Sequence, residues 1–229
     1  MSENEKIEYK VILLGNSGVG KTSLFKKIIT GEFFDKNIST IGMDKRTLQV
    51  EVEVSEKGKA VTKPFDISLV DTAGEERFKA ITKTYYKESD GILLIYDITN
   101  RESFDNVSTW IEDCRNQSPQ TIFMVLVGNK TDLELENKRA VSFEEGQELA
   151  EKNKMMFFET SAKSGKNVDD IFYRSAETIA KRIEENFYDL ENESCGIKPG
   201  IMKKKQEVNI DSGNFMDKSN NSNKKKDCC

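Results

Sequence analysis

One eight-residue segment, GNSGVGKT at residues 15–22, constrains the fold of this chain more than any other. It fits the pattern G-x-x-x-x-G-K-[ST] and lies between an apolar run, YKVILLG, and a stretch with helical period. A phosphate chain needs several converging backbone N–H groups, which glycines allow because they lack a Cβ, and the following helix adds its positive N-terminus. The segment therefore predicts a phosphate-binding loop between a strand and a helix. The alternative is a glycine-rich turn without a ligand.

Two side chains of this loop have the chemistry that a nucleotide requires. Lys21 can bridge the terminal phosphates as a point charge, and the hydroxyl of Thr22 is a hard oxygen ligand suited to Mg²⁺. The predicted phosphate-binding residues are Gly15, Ser17, Gly18, Val19, Gly20, Lys21, Thr22 and Ser23.

Apolar runs of strand length alternate with helical stretches along the chain, which predicts an α/β domain with parallel strands. The six candidate strands are YKVILLG, RTLQVEVEV, FDISLVD, GILLIYDI, TIFMVLVG and KMMFFETS. Only SEKGKAVTKP separates the second from the third, so these two should form an antiparallel hairpin at the sheet edge. The last helix should bury one apolar stripe in the core. That stripe consists of Val168, Ile171, Phe172, Ile179 and Ile183.

The length of 229 residues predicts one globular domain and a tail. We expect a short N-terminal extension at 1–8, a domain at 9–188 and a disordered tail at 189–229, which is polar and lacks period. Residues 198–229 hold eight Lys against four acidic residues, whereas the whole chain has a net charge of -5. An acidic body argues against nucleic-acid binding, and a basic tail suggests a negatively charged partner.

The four cysteines do not predict a disulfide framework, because Cys114 and Cys195 stand alone and Cys228 and Cys229 are adjacent. A reducing compartment is the simpler interpretation. The start lacks an apolar signal region and no apolar run is long enough to span a bilayer. We therefore expect a cytosolic protein unless the tail anchors it.

Two further motifs close strands at the carboxyl edge of the predicted sheet, where open α/β sheets bind ligands. NKTD at 129–132 follows the fifth strand and SAK at 161–163 follows the sixth. The carboxylate of Asp132 can accept hydrogen bonds from the N1–H and from the N2 amino group of guanine, whereas adenine has no donor at either position. Taken singly, NKTD could be an ordinary polar turn.

The other residues of these motifs have complementary predicted roles. Lys130 can lay its stem over the base, Asn129 can tie its loop to the phosphate loop, and the N–H of Ala162 can meet guanine O6. The predicted base-binding residues are Asn129, Lys130, Asp132, Ser161, Ala162 and Lys163.

Together these motifs resemble the Ras superfamily of small GTPases, and most closely its Rab branch, over residues 9–188. The resemblance runs through GNSGVGKTSL, STIG, DTAGEERF, YYKESDGILLIYDITNRESF, GNKTDL and ETSAK. It implies the P-loop small-GTPase fold, with a six-stranded mostly parallel sheet, one antiparallel edge strand and helices on both faces. It also implies a switch that binds GTP or GDP and hydrolyses GTP with Mg²⁺.

The resemblance assigns four more residues to the site. Thr40 would close on Mg²⁺ and the γ-phosphate, Asp71 would hold the metal through water, and the Gly74 N–H would contact the γ-phosphate. The expected metal ligands are thus Thr22, Thr40 and Asp71. Phe33 would pack beside the guanine, although ordinary loop packing also explains it.

Glu75 in LVDTAGEERF occupies the position of the family's catalytic glutamine. A glutamine both accepts a hydrogen bond from the attacking water and donates one toward the phosphoryl group, whereas a glutamate loses the donor. The expected catalytic residues are Glu75, Lys21, Thr40 and Gly74. Two alternatives stay open: an ATP-using P-loop kinase or ATPase, which Asp132 opposes, and a nucleotide-bound interaction module with impaired hydrolysis.

The resemblance also implies a membrane address and a set of partners. Cys228 and Cys229 resemble a double geranylgeranylation signal, which predicts a lipid-anchored protein on the cytoplasmic face of endomembranes that cycles with the cytosol. The implied partners are an exchange factor, a GTPase-activating protein, a GDP-dissociation inhibitor, a Rab escort protein and effectors. We expect no nucleic-acid partner, and we expect the protein to be a monomer. Lys45, Val70 and Asn37 depart from the family pattern, so we expect an unusual effector set.

Overall fold

A mixed β-sheet forms the centre of the fold. The computed structural model describes residues 5–33, 43–56, 59–72, 86–87, 89–119, 121–136, 138–185, 187–188 and 197–201. Within these ranges the strands are β1 (Glu5–Leu14), β2 (Met43–Glu56), β3 (Lys59–Thr72), β4 (Gly91–Asp97), β5 (Phe123–Asn129), β6 (Met156–Glu159) and β7 (Lys198–Ile201). The sheet order is β2-β3-β1-β4-β5-β6, and β7 pairs with β1 outside this path.

Helices cover both faces of the sheet. They are α1 (Lys21–Thr30), α2 (Arg101–Asp105), α3 (Val107–Gln117), α4 (Phe143–Lys152) and α5 (Val168–Glu184), together with a 3₁₀ helix at Thr131–Glu136. Alternate residues of β1 divide between two cores: Val11 and Leu13 pack with α1 and α5, and Ile12 and Leu14 pack with α3 and α4. Among the described residues, no helix has the length and apolar character needed to span a lipid bilayer.

The predicted α/β class is confirmed. Along the six-strand path β2 alone is antiparallel, because it pairs with β3, and the other neighbours are parallel. Every residue of β4 is buried, as expected for a strand covered on both faces, which explains its unbroken apolar run. The stripe on α5 also lies as predicted, with Ile183 partly buried against the core and the other four residues buried.

The β2–β3 hairpin is longer than the sequence predicts. Its register runs from Met43 opposite Thr72 to Glu56 opposite Lys59, so most of the segment expected to be a linker is strand. Pro64 is tolerated because it lies one residue before β3 begins to pair with β1 at Phe65. Residues 57 and 58 lie outside the described residues.

Strand also forms on both sides of the expected domain 9–188. β1 already begins at Glu5, inside the expected N-terminal extension, and Glu5–Glu8 pair with the antiparallel strand β7. β7 lies in the segment 189–229 for which the sequence predicts disorder. It occupies the edge of β1 that β4 leaves open, because β1 and β4 pair only from Val11 onward. Residues 202–229 lie outside the described residues.

Packing beside β7 explains why this short segment is held. Ile197 is 2% exposed and belongs to the same core as Tyr188 and α5. Burial of one such side chain stabilises the fold by about 1.5–3 kcal/mol.

We predict that Ile197→Ala lowers the free energy of unfolding by about 2–5 kcal/mol, because it removes a buried side chain. Urea denaturation at fixed solution conditions measures this change. Glu8→Ala is the matched control, since Glu8 pairs with Lys198 in the same ladder but is exposed, and its loss should stay below about 1 kcal/mol. Equal, small losses in both variants would contradict the packing of Ile197.

Candidate nucleotide-binding site

The three motifs that the structure describes, the phosphate loop, NKTD and SAK, lie at one edge of the sheet. The carboxyl ends of the parallel strands β1, β4, β5 and β6 lie side by side there, since β1 pairs with β4, β4 with β5 and β5 with β6. Such an edge is where open α/β sheets bind ligands. The loops that follow β1, β5 and β6 contain the three motifs.

At two glycines of the phosphate loop, an added Cβ would collide with a residue of a nearby strand. A Cβ on Gly15, where φ is 135°, would lie 2.1 Å from the carbonyl oxygen of Ile95 on β4. A Cβ on Gly20, where φ is 97°, would lie 2.3 Å from Nδ2 of Asn129. Close approach to two neighbouring strands therefore explains the spacing of these glycines.

Lys21 points back into the loop. It is 5% exposed, and its Nζ donates hydrogen bonds to the carbonyl oxygens of Gly15 (2.9 Å) and Asn16 (2.8 Å). Burial lowers the pKa of Lys21 to about 8, and the negative charge of Asp71 opposes that shift. An ammonium group held in this way is poised for an anionic ligand, because a phosphate would supply the charge that burial withholds.

Thr22 and Asp71 form the hard-oxygen part of the site. The Thr22 hydroxyl donates to Oδ2 of Asp71 at 2.6 Å. Asp71 is 1% exposed, burial raises its pKa, and its Oδ1 has no hydrogen-bond partner among the described residues. A buried carboxylate oxygen without a partner is costly unless a cation or donor meets it.

These donors fit Mg²⁺. The described ranges contain no group of three or more His, Cys, Asp or Glu side chains able to hold a metal. Mg²⁺ needs no such group, since it binds one or two carboxylates and completes its shell with water and substrate phosphates. The third expected ligand, Thr40, lies outside the described residues.

Asn129 joins three loops of the site. Its Nδ2 donates to the carbonyl oxygen of Val19 at 2.9 Å. Its Oδ1 accepts hydrogen bonds from the Thr160 hydroxyl and the Ala162 N–H, both at 3.3 Å. The sequence assigned the Ala162 N–H to guanine O6, whereas in this structure that group bonds to Asn129.

Asp132 and Lys130 are both oriented by neighbours. The Ser161 hydroxyl donates to Oδ1 of Asp132 at 2.6 Å, which holds the carboxylate at the end of β6. The ammonium of Lys130 lies 2.7 Å from Oδ2 of the buried Asp97, and Lys130 adopts the left-handed region with φ of 73°. This ion pair directs the lysine stem along the loop, near Gly20.

The remaining predicted residues differ in their burial, and some lie outside the described ranges. Phe33 is partly buried and packs against the core shared by α1 and α5, and Lys163 is exposed. Ser17 is exposed and Ser23 is partly buried in the first turn of α1. The residues whose placement falls outside the described ranges are Asn37, Thr40, Gly74, Glu75, Cys228 and Cys229.

Sequence reasoning missed several residues that shape the site. Asp97 ends β4 just as Asn129 ends β5, so its position at the carboxyl end of a predicted strand could have identified it. Arg139 forms a bidentate pair with Glu159 at 2.7 and 2.9 Å and fixes the end of β6 before the SAK motif. No sequence signal marked Arg139, because the loop before α4 reaches Glu159 only in the folded protein.

The match to known proteins agrees with this geometry. A model of the Ras family matches residues 10–181, which is most of the chain and includes the phosphate loop, Asp71, NKTD and SAK. The chain therefore belongs to the Ras family of small GTPases, which are switches that bind GTP or GDP, typically with Mg²⁺.

Proposed function

We propose that this protein is a Rab-like GTPase that regulates vesicle and membrane traffic. Its GTP-bound form recruits effectors to the cytoplasmic face of endomembranes, and hydrolysis of GTP ends that recruitment. The observation that carries the nucleotide choice is the Asp132 carboxylate, held by the Ser161 hydroxyl at the strand edge beside the phosphate loop. The Rab-like assignment is supported by the sequence resemblance in residues 9–188 and by Cys228 and Cys229.

Guanine selection follows from the chemistry of Asp132. Its carboxylate accepts two hydrogen bonds from N1–H and the N2 amino group of guanine. Adenine offers no donor at either position, so binding ATP would leave the carboxylate unpaired, and such sites reject the wrong ligand by about 10⁴–10⁵-fold. The ATP-using alternative is therefore not favoured.

We predict that Asp132→Asn weakens GDP binding by about 10²-fold or more. The amide replaces one acceptor by a donor and loses the charge, and a hydrogen bond to a charged group contributes about 1.5–3 kcal/mol. Competition titration with fluorescent GDP measures this loss. Glu136→Gln is the control, because Glu136 is an exposed carboxylate in the same 3₁₀ helix. Unchanged GDP affinity in Asp132→Asn, or ATP that competes as well as GTP, would contradict the assignment.

Hydrolysis proceeds by in-line attack of water on the γ-phosphorus, helped by positioning and charge neutralisation. Lys21 neutralises charge on the terminal phosphates and the loop N–H groups orient them. Thr22 and Asp71 would hold Mg²⁺, which supplies further charge neutralisation when bound. The chain has no histidine to serve as a base, and this mechanism requires none.

The switch depends on contacts that exist only with GTP. We propose that Thr40 and the Gly74 N–H bind the γ-phosphate, so that its loss releases both segments and removes the surface that effectors read. The intrinsic rate is slow and an activating protein accelerates it. A second candidate function, a nucleotide-bound module with impaired hydrolysis, is favoured by one observation: Glu75 stands at the position of the catalytic glutamine.

We predict that Glu75→Gln changes the single-turnover rate of intrinsic hydrolysis by about tenfold or more, since one positioned donor contributes roughly 10²-fold. The neighbouring substitution Glu76→Gln is the control and should leave the rate unchanged. The unsubstituted protein should still respond to a Rab-type activating protein that supplies its own glutamine. No response to such a protein, together with no intrinsic turnover, would favour the interaction module.

Effector choice is expected to differ from that of ordinary Rabs. Lys45 lies opposite Val70 in the β2–β3 ladder, and Lys45 is exposed whereas Val70 is buried. A charged side chain therefore stands where the family carries an aromatic residue, and Val70 offers the effector little surface. We also propose an exchange factor, a GDP-dissociation inhibitor and an escort protein as partners, because the sequence resembles the Rab branch.

Membrane attachment is proposed to use two geranylgeranyl chains on Cys228 and Cys229. Two chains satisfy the requirement for stable anchoring. Lys203–Lys205 and Lys224–Lys226 add attraction to anionic lipid of about 1 kcal/mol per lysine near the surface.

We predict that protein recovered from its native cells has the mass of a doubly prenylated chain and sediments with membranes. Replacing Cys228 and Cys229 together by Ser should abolish both properties. Cys195→Ser is the matched control, since it removes another cysteine of the same tail. An unmodified mass in the unsubstituted protein would refute lipid anchoring without affecting the nucleotide assignment.

A further inference from the structure

The side chain of Trp110 bonds directly to the phosphate loop. Trp110 lies in α3 and is the only tryptophan of the chain. Its Nε1–H donates to Oδ1 of Asn16 at 2.9 Å, across 94 positions of sequence. Asn16 is the second residue of the loop, so a helix outside the nucleotide motifs contacts the loop that cradles phosphate.

Asn16 transmits this contact to the catalytic lysine. Its side chain accepts from Trp110, while its backbone carbonyl oxygen accepts from Nζ of Lys21 at 2.8 Å. The same residue is therefore fixed on one side by α3 and holds the ammonium group on the other. A shift of the Asn16 peptide would move one of the two carbonyl groups that position Lys21.

The loop needs such an external tether. Three of its residues, Gly15, Gly18 and Gly20, have positive φ and no Cβ with which to pack. Glycine loses more conformational freedom on ordering than any other residue, so side-chain bonds from outside must offset that cost. Asn129 supplies one bond, to the carbonyl oxygen of Val19, and Trp110 supplies another at the opposite end of the loop.

Trp110 is a firm anchor for this tether. Its indole ring packs against the core between the sheet and α3. The neighbouring helix residues Val107, Ile111 and Cys114 are buried in that core. The indole N–H is thus presented to Asn16 from a rigid element, which limits the positions that the loop can take.

We propose that Trp110 is a positioning residue for phosphate binding. Its indole N–H fixes Asn16 and thereby keeps Lys21 and the loop amides in the shape that receives the diphosphate. Trp110 thereby affects the binding of the phosphates, whereas Asp132 recognises the guanine. This inference rests on nucleotide binding by the loop and holds whether or not the protein hydrolyses GTP quickly.

The test compares Trp110→Phe, which removes the N–H and keeps an aromatic ring, with Asn16→Ala and the double variant. Each single variant should release GDP about three- to tenfold faster, the equivalent of one neutral hydrogen bond. The double variant should release GDP no faster than either single variant, because both remove the same bond. Fluorescent GDP displacement measures the rates.

A second readout separates positioning from a general loss of stability. Affinity for GDP should fall relative to GMP, which lacks the second phosphate, while the ratio of GDP to IDP affinity should stay unchanged because IDP differs only in the base. Ile111→Val is the matched control on α3, since it loosens the same core without touching the loop. It should leave both ratios at the wild-type values.

Three outcomes would overturn the proposal: an unchanged GDP release rate in Trp110→Phe, additive effects in the double variant, or equal losses for GDP and GMP. A wild-type protein that binds GDP tightly, combined with any of these outcomes, overturns only the role of Trp110. Failure of the wild-type protein to bind GDP would overturn the nucleotide assignment as well.

Discussion

The arrangement of the site depends on the hydrogen bonds made by the buried side-chain amide of Asn129. It donates to the loop after β1 and accepts from the residues after β6, while its own backbone ends β5. Three loops that are far apart in sequence therefore share one side chain. Burial of an amide is costly unless its donors and acceptors are paired. The hydrogen bonds from the loops therefore stabilise the buried Asn129 side chain, and the same bonds fix the positions of the loops.

Around this junction the structure keeps two opposite charges buried. Lys21 and Asp71 are each more than nine-tenths buried, and burial moves the pKa of each toward its neutral form. Protein carbonyls hold the lysine, and the Thr22 hydroxyl meets one oxygen of the aspartate. An anionic phosphate and a divalent cation would satisfy both groups at once. The cost of burying these charges thus favours the binding of such a pair, in agreement with the nucleotide and Mg²⁺ site that we propose.

Local sequence patterns predicted the secondary structure correctly where the burial of a helix face or of a strand determines it. The apolar runs predicted six strands and the α5 stripe because burial on a sheet or helix imposes a period on the residues themselves. Most of the expected linker SEKGKAVTKP is strand, because pairing between β2 and β3 outweighed its weak local propensity. β7 was missed for the same reason, since its stability comes from the open edge of β1 and the burial of Ile197.

The sequence by itself determined which chemical groups the proposed site contains: a glycine loop with Lys21 suited to phosphate, a Thr22 hydroxyl suited to Mg²⁺ and an Asp132 carboxylate suited to guanine. These residues are adjacent within motifs, so their spacing alone predicts their roles. Only the tertiary structure decided what holds them: Asp97 for Lys130, Ser161 for Asp132, Arg139 for the end of β6 and Trp110 for Asn16. Such contacts join residues distant in the chain, and their geometry exists only once the sheet has brought the strand ends together.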